Sequence, residues 1–139
     1  MESAVVALVP KEDIEKVWPH VSPGIAEALE SSNGEASVED TKQGLLLGRT
    51  HLLLMDDGGS TLGVVFQFLN FPQFKIARVL LLFGEGMERL RAVMAAAEEW
   101  GHRQGCRYVE AWVATESRQR LFGRFGYEPT YRIVRKELK

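Results

Sequence analysis

Glu110 lies in an alternating run, residues 107–114, with Val109, Ala111 and Val113 on one face and Tyr108, Glu110 and Trp112 on the other. A carboxylate projecting from such a strand can take a proton from an amine, directly or through water, or pair with a neighbouring Arg or Lys. Gly84-Glu85-Gly86 ends an apolar run and precedes a helical pattern. Two glycines there either make a simple turn or bare the first amides of a helix to an anion. Arg89 and Arg91 fall in the first turns of that helix and Arg118 near the start of a later one, as cations that could offset Glu85 or simply face solvent. His51 opens a strand, where it could titrate near neutrality or sit at the surface. Gln67 and Asn70 close the next strand as polar groups or filler, and Cys106, after Gly105 at a helix-to-strand turn, gives no ground for a nucleophilic role.

These groups need a mixed set of elements to hold them. Residues 4–9 are β-branched and closed by Pro10, which reads as a strand. Ile14, Val17 and Trp18, then Ile25, Ala28 and Leu29 after Ser22-Pro23, predict two short helices, the second with proline at its first position. Ser31 to Gly34 is a loop signal. Ser37, three residues before Asp40, starts a further helix that Gly48 ends. Residues 51–55 and 62–69 predict two strands joined by a tight turn at Asp56-Asp57-Gly58-Gly59. Residues 75–83, with a continuous apolar end, predict a strand placed centrally in the sheet. Met87, Leu90, Val93, Met94, Ala97 and Trp100 recur at steps of three and four, giving a long amphipathic helix to Gln104. The strand 107–114, a short helix at 117–125 stopped by Gly126, and a last strand at 130–138 complete the order. Strand, long helix, strand from 75 to 114 requires parallel pairing, whereas the hairpin before it is antiparallel. The fold class is therefore α+β, with a mixed, mostly antiparallel central sheet flanked by helices.

Composition bounds the rest. In 139 residues, 45% of them hydrophobic, there is apolar surface for one packed core, so residues 1–139 read as a single domain. Seventeen basic against nineteen acidic side chains leave a net charge of -2, with the basic residues dispersed. That balance speaks against nucleic acid or an anionic membrane as partner. One cysteine makes neither an internal disulfide nor a metal cluster, so no metal is expected and a reducing compartment, the cytoplasm, is. No signal peptide or membrane anchor is expected either.

The element order resembles the GNAT acetyltransferase superfamily over essentially the whole chain, most sharply from Lys75 to Tyr127. The family carries a loop of the form [Q/R]-x-x-G-x-[G/A], whose amides at a helix N-terminus bind the pyrophosphate of acetyl-CoA. Leu81-Leu82-Phe83-Gly84-Glu85-Gly86 keeps both glycines, has Leu81 in the leading place and adds the Glu85 carboxylate. A second family block, N-x-x-A-x-x-[F/L]-Y-x-x-x-G-F, falls on residues 115–127. Leu121, Gly126 and the aromatic Tyr127 agree, while Thr115, Arg118 and Phe122 depart. In many members a tyrosine at the place of Phe122 protonates the leaving thiolate, and phenylalanine has no proton to give. The chain is also similar to divergent GNAT-like proteins encoded in bacteriophage and prophage genomes.

The resemblance implies an N-acetyltransferase that takes acetyl-CoA as cosubstrate and a small-molecule or protein amine as acceptor. It puts Leu82, Phe83, Gly84, Glu85, Gly86, Arg89, Thr115, Arg118 and Phe122 at the cofactor, and Glu110 as the base beside an acetyl slot opened by two splaying strands. The alternative is a catalytically inactive protein of the same fold that binds a partner or forms a homodimer, with Phe71, Pro72 and Phe74 as contact residues.

Overall fold

In a computed structural model, residues 6–32, 34–57 and 60–139 are described. Five strands form one sheet in sequence order: β1 (Val6–Val9), β2 (His51–Asp57), β3 (Ser60–Asn70), β4 (Lys75–Gly84) and β5 (Tyr108–Ala111). The first three pairings are antiparallel and β4 pairs parallel with β5, as the mixed α+β reading expects. β4 is an interior strand, but the middle place belongs to β3. β2 and β3 close on the pair Asp57 and Ser60, so Asp56 is a strand residue and the expected turn at 58–59 lies outside the described residues. The expected start of β1 at residues 4 and 5 also lies outside them.

Alternation along the strands sends two apolar sets to opposite faces. Leu52, Leu54, Val65 and Phe83 pack with Ile14, Val21, Ile25 and Leu45 of α1 (Ile14–Leu29) and α2 (Val38–Leu46). Leu53, Met55, Leu62, Val64, Phe66, Ala77 and Val79 pack with Leu90, Val93, Met94 and Ala97 of α3 (Leu90–Arg103) and Phe122 of α4 (Glu116–Gly123). Each large apolar side chain among these, taken out of water, contributes roughly 2 kcal/mol, and together they outweigh local preferences. At Gly101 α3 lies against β4 and β5, where a Cβ would make ordinary contacts with Val109 at 3.5 Å and Ala77 at 3.6 Å.

Three expectations are corrected. The two short opening helices are one helix, α1, which runs through both Pro19 and Pro23. Both prolines are exposed, and the core stripe Ile14, Val17, Val21, Ile25, Ala28 continues unbroken beneath them, so packing outweighs the two lost hydrogen bonds. β5 covers 108–111 rather than 107–114. The last strand is absent: residues 128–139 carry no regular structure, and Tyr131, Ile133, Val134 and Leu138 are exposed. Strand preference reflects fit to a pleated, half-buried surface, and this segment has none beside it. The capping box does form, with Ser37 accepting from the Asp40 amide and Asp40 from the Ser37 amide. Among the described residues no helix is long and apolar enough to cross a membrane.

The Phe83 ring is wedged between two glycines. A Cβ on Gly63 would lie 2.2 Å from its Cζ, and one on Gly24 of α1 would lie 3.0 Å from its Cδ2. Gly63→Ala should therefore lower stability by about 1–3 kcal/mol in urea unfolding, the usual cost of overpacking, and adding Phe83→Leu should recover part of that loss.

Candidate active site

The chemistry of this fold is set by where β4 and β5 part. Their parallel ladder joins Ile76 with Tyr108, Ala77 with Val109, Arg78 with Glu110 and Val79 with Ala111. A last bond runs from the Trp112 amide to the Val79 carbonyl, 3.2 Å. On the other side of β4 the register with β3 slips: Val65 faces Leu81 and Phe66 faces Val79, which leaves Leu80 as an extra residue. Such a bulge bends and twists its strand. Residues 80–84 then continue along β3 with no rung to β5.

Beyond this parting the chain turns into α3. Gly84 has φ +103° and Gly86 φ +85°, both in the region that favours glycine. A Cβ on Gly84 would lie 2.0 Å from the Thr61 carbonyl oxygen. The Glu85 amide donates to that same carbonyl at 2.8 Å. A 3-10 turn, Met87–Arg89, leads into α3 and its first bond runs from the Arg89 amide to the Gly86 carbonyl, 2.8 Å. Hence Gly86, Met87 and Glu88 present the amides that a helix start leaves without an intrahelical partner, at the positive end of the helix dipole. The Arg89 guanidinium folds back over Gly86, donating to the Glu85 carbonyl (3.1 Å) and the Ser60 hydroxyl (3.0 Å). The residues present thus fit a phosphate-bearing group through backbone amides and one guanidinium, with the Glu85 and Glu88 carboxylates opposing it.

The other expected residues fall as follows. Leu82 packs into the α3-side core and Phe83 into the α1-side core. Thr115 is the N-cap of α4, its hydroxyl accepting from the Arg118 amide at 3.2 Å. Arg91 reaches the Arg124 carbonyl at 3.5 Å and lies over the Phe125 ring, so it joins α3 to α4. Phe122 is buried in the α3-side core, edge-on to Tyr127 and Phe125. Burial first, and the Glu98 carboxylate second, push the Tyr127 hydroxyl far up, and it donates to Glu98 at 2.7 Å. Cys106 is half-buried with its thiol pushed up by burial.

Glu110 is held by Arg78, Nη2 to Oε1 at 3.2 Å, and the Arg78 guanidinium also lies 5.1 Å from the Trp112 ring centre. Gln67 faces Arg78 across β3 and β4, so Gln67, Arg78 and Glu110 form one polar row across three strands. Asn70 pairs with Lys75 at the far end of β3. Arg78 was legible only as a charge inside an apolar run.

A second polar cluster, which the sequence reading does not anticipate, lies behind the glycine turn. Thr61 donates to Asp56 and accepts from His20 Nε2 at 2.8 Å, with His20 3.1 Å from Asp56. This assigns the ring proton to Nε2, because the Thr61 hydroxyl proton is committed to Asp56. The Thr61 bond first, then His20 and Arg89, hold Asp56 below the ordinary carboxylate value. No spacing rule brings residues 20, 56 and 61 together; the sheet register and the α1 crossing do. At the opposite edge of the sheet lies a depression of about 330 Å³, lined by Val9, Pro10, Ile14, Leu45, Thr50 and His51 among others.

No family model matches the sequence. No curated protein matches it either. Solved structures do. A ribosomal-protein-alanine N-acetyltransferase from Brucella melitensis biovar Abortus 2308 superposes with a TM-score of 0.72 at 13% identity, covering 99% of this chain and 100% of that one. A GCN5-related N-acetyltransferase from Ralstonia eutropha JMP134 gives 0.68 at 20% identity, with 97% and 99% covered. An aminoglycoside acetyltransferase from an uncultured soil metagenomic sample, solved with sisomicin, gives 0.72 at 14% identity, with 98% and 97% covered. The chain has the GNAT acetyltransferase fold. Within that GNAT frame the expected fold class stands, and the β4–β5 parting and the glycine turn occupy one end of the sheet.

His51 at the opposite edge gives a pH test of the structure. Its ring packs 5.3 Å from both Phe66 and Phe68, and burial lowers its pKa from 6.5. The unfolded chain then binds more protons below that value, so stability is full above about pH 6.5 and falls as the pH drops toward the folded pKa. Urea unfolding at pH 7.5 and pH 5.5 should show a loss on acidification that shrinks in His51→Phe.

Proposed function

We propose that residues 1–139 form one N-acetyltransferase domain that uses acetyl-CoA and transfers to a small-molecule or protein amine. The observation that carries this reading is the parting of β4 from β5 at the Leu80 bulge, leading straight into the left-handed Gly84 and Gly86 turn and the amides of α3. Likeness to solved acetyltransferase structures supports it. When bound, acetyl-CoA would supply an activated acetyl thioester. The Gly86, Met87 and Glu88 amides, with Arg89, would hold its pyrophosphate.

Glu110 takes the acceptor's proton. Arg78 engages its Oε1, orients the carboxylate and leaves Oε2 to accept, directly or through water. Gln67, in the same cross-strand row, offers an amide to the acceptor. Phe122 and Tyr127 supply no acid, since the first has no proton and the second is committed to Glu98. A proton for the leaving group would therefore come from solvent. The single cysteine supports a reducing compartment, which we take to be the cytoplasm.

A second reading, a GNAT-fold protein that binds a partner and no longer acetylates, draws on three observations. The Glu85 amide is taken by Thr61, Arg89 lies over Gly86, and Phe122 is core.

Titration calorimetry separates the two. The acetyltransferase reading expects heat with CoA and acetyl-CoA, weakened about tenfold or more in Gly84→Ala, whose new Cβ meets the Thr61 carbonyl and shifts the turn. No heat at millimolar concentration sinks it. In an acetylation assay over a panel of amines, Glu110→Gln should lower kcat about a hundredfold while CoA affinity holds.

A further inference from the structure

Gln67, Arg78 and Glu110 stand side by side on β3, β4 and β5, one rung before Val79 and Ala111, the last pair ahead of the parting. Their strand neighbours Phe66, Ala77, Val79, Val109 and Ala111 pack toward α3. Alternation therefore turns the polar row to the face that carries α1 and α2. Among the described residues, the apolar set under those helices takes nothing from β5, so the row is open at that end. The Glu110 side chain is 29% exposed and Trp112 is 50% exposed.

The guanidinium at the centre of the row has donors to spare. Of its five N–H groups, one is engaged: among the described residues Arg78 donates to Glu110 alone, Nη2 to Oε1 at 3.2 Å. Its Nε is closed off from water and has no hydrogen-bond partner. A pair built only to hold β4 against β5 would be served best by two parallel bonds between fork and carboxylate. Here one bond is made, and Glu110 Oε2 stays available. Across the sheet the row thus reads amide, cation, anion, at neighbouring places about 5 Å apart.

We infer that the acceptor is a free α-amino acid, its carboxylate laid between Gln67 and Arg78 and its ammonium on Glu110. A carboxylate and an amine on one carbon match a cation and an anion on adjacent strands. Arg78 and Glu110 cancel in charge, which suits a zwitterion. A polyamine would bring further cations against Arg78, and a peptide N-terminus would set a neutral carbonyl there. The open Trp112 ring, beside Arg78, offers a surface for the amino acid side chain. This assignment rests on the acetyltransferase reading of the same site. The ammonium gives one proton through Glu110 Oε2 to water. Its nitrogen then bonds to the acetyl carbonyl carbon as the C–S bond breaks. The second amine proton goes to Glu110, and the sulfur keeps the bonding pair and takes a proton from solvent.

With acetyl-CoA, the common L-amino acids should be compared with their amides and their decarboxylated amines. The best free acid should exceed its amide and its amine about tenfold or more in kcat/KM. Arg78→Gln should cut that preference about tenfold, mainly by raising KM for the free acid. Gln67→Glu, which sets a carboxylate against that of the acceptor, should cut it as well, each variant keeping its far-UV dichroism spectrum. Amides or plain amines that match the free acids, or a preference that both variants keep, overturn the inference. Where nothing is acetylated, titration calorimetry with the same compounds, without CoA and then with it, decides. Heat with the free acids alone upholds the amino acid site while the transferase reading falls; heat with the amides as well, or with none of the compounds, overturns it.

Discussion

The Phe83 ring, seated between Gly63 and Gly24, is the contact on which the working end of this molecule depends. It is the last side chain of β4 before the glycine turn, so where it rests decides where Gly84 begins. A side chain at position 63 would push the ring off β3, and one at position 24 would press on its edge from α1. The backbone beyond has correspondingly little freedom. Gly84 lies against the Thr61 carbonyl, and that carbonyl takes the next amide, Glu85. Thr61 in turn is held through its hydroxyl by Asp56 and His20, so α1, β2, β3 and the turn into α3 meet at one threonine.

The ladder between β4 and β5 shows how little regular structure such a cleft needs. Four paired positions hold the strands together, and one extra residue, Leu80, turns β4 away from its neighbour. The Arg78–Glu110 pair lies within that short ladder, partly buried, so its charges are screened less than those of a surface pair. A carboxylate there is both a rung of the structure and a candidate participant in chemistry, which makes the two roles hard to alter separately.

Much of this was legible in the residues and some was not. Alternation and turn chemistry placed the hairpin of β2 and β3, and steps of three and four placed α3, because those elements bury one face and their pattern records it. The turn at Gly84 and Gly86 could be read for the same reason that glycine is there: both have positive φ. The opening helices were misread as two because Pro19 and Pro23 carry a strong local signal, while the packing that overrides them is tertiary. Residues 130–138 were misread as a paired strand because their composition suits a ladder that their own sheet does not provide. The row Gln67, Arg78, Glu110 and the cluster His20, Asp56, Thr61 depend on register across strands and on a helix crossing. A register is a relation between distant segments, and no single segment carries it.

The two prolines and the glycine in α1 have a consequence for how the chain acquires its structure. Within Ile14–Leu29, Pro19, Pro23 and Gly24 each disfavour a helix on its own, and helices of this length are marginal in water even when composed of good formers. α1 therefore has no stable existence until the sheet offers Leu52, Leu54, Val65 and Phe83 as a surface to lie on. The sheet is its template, and the strand end that leads into the glycine turn is part of the surface on which Gly24 rests.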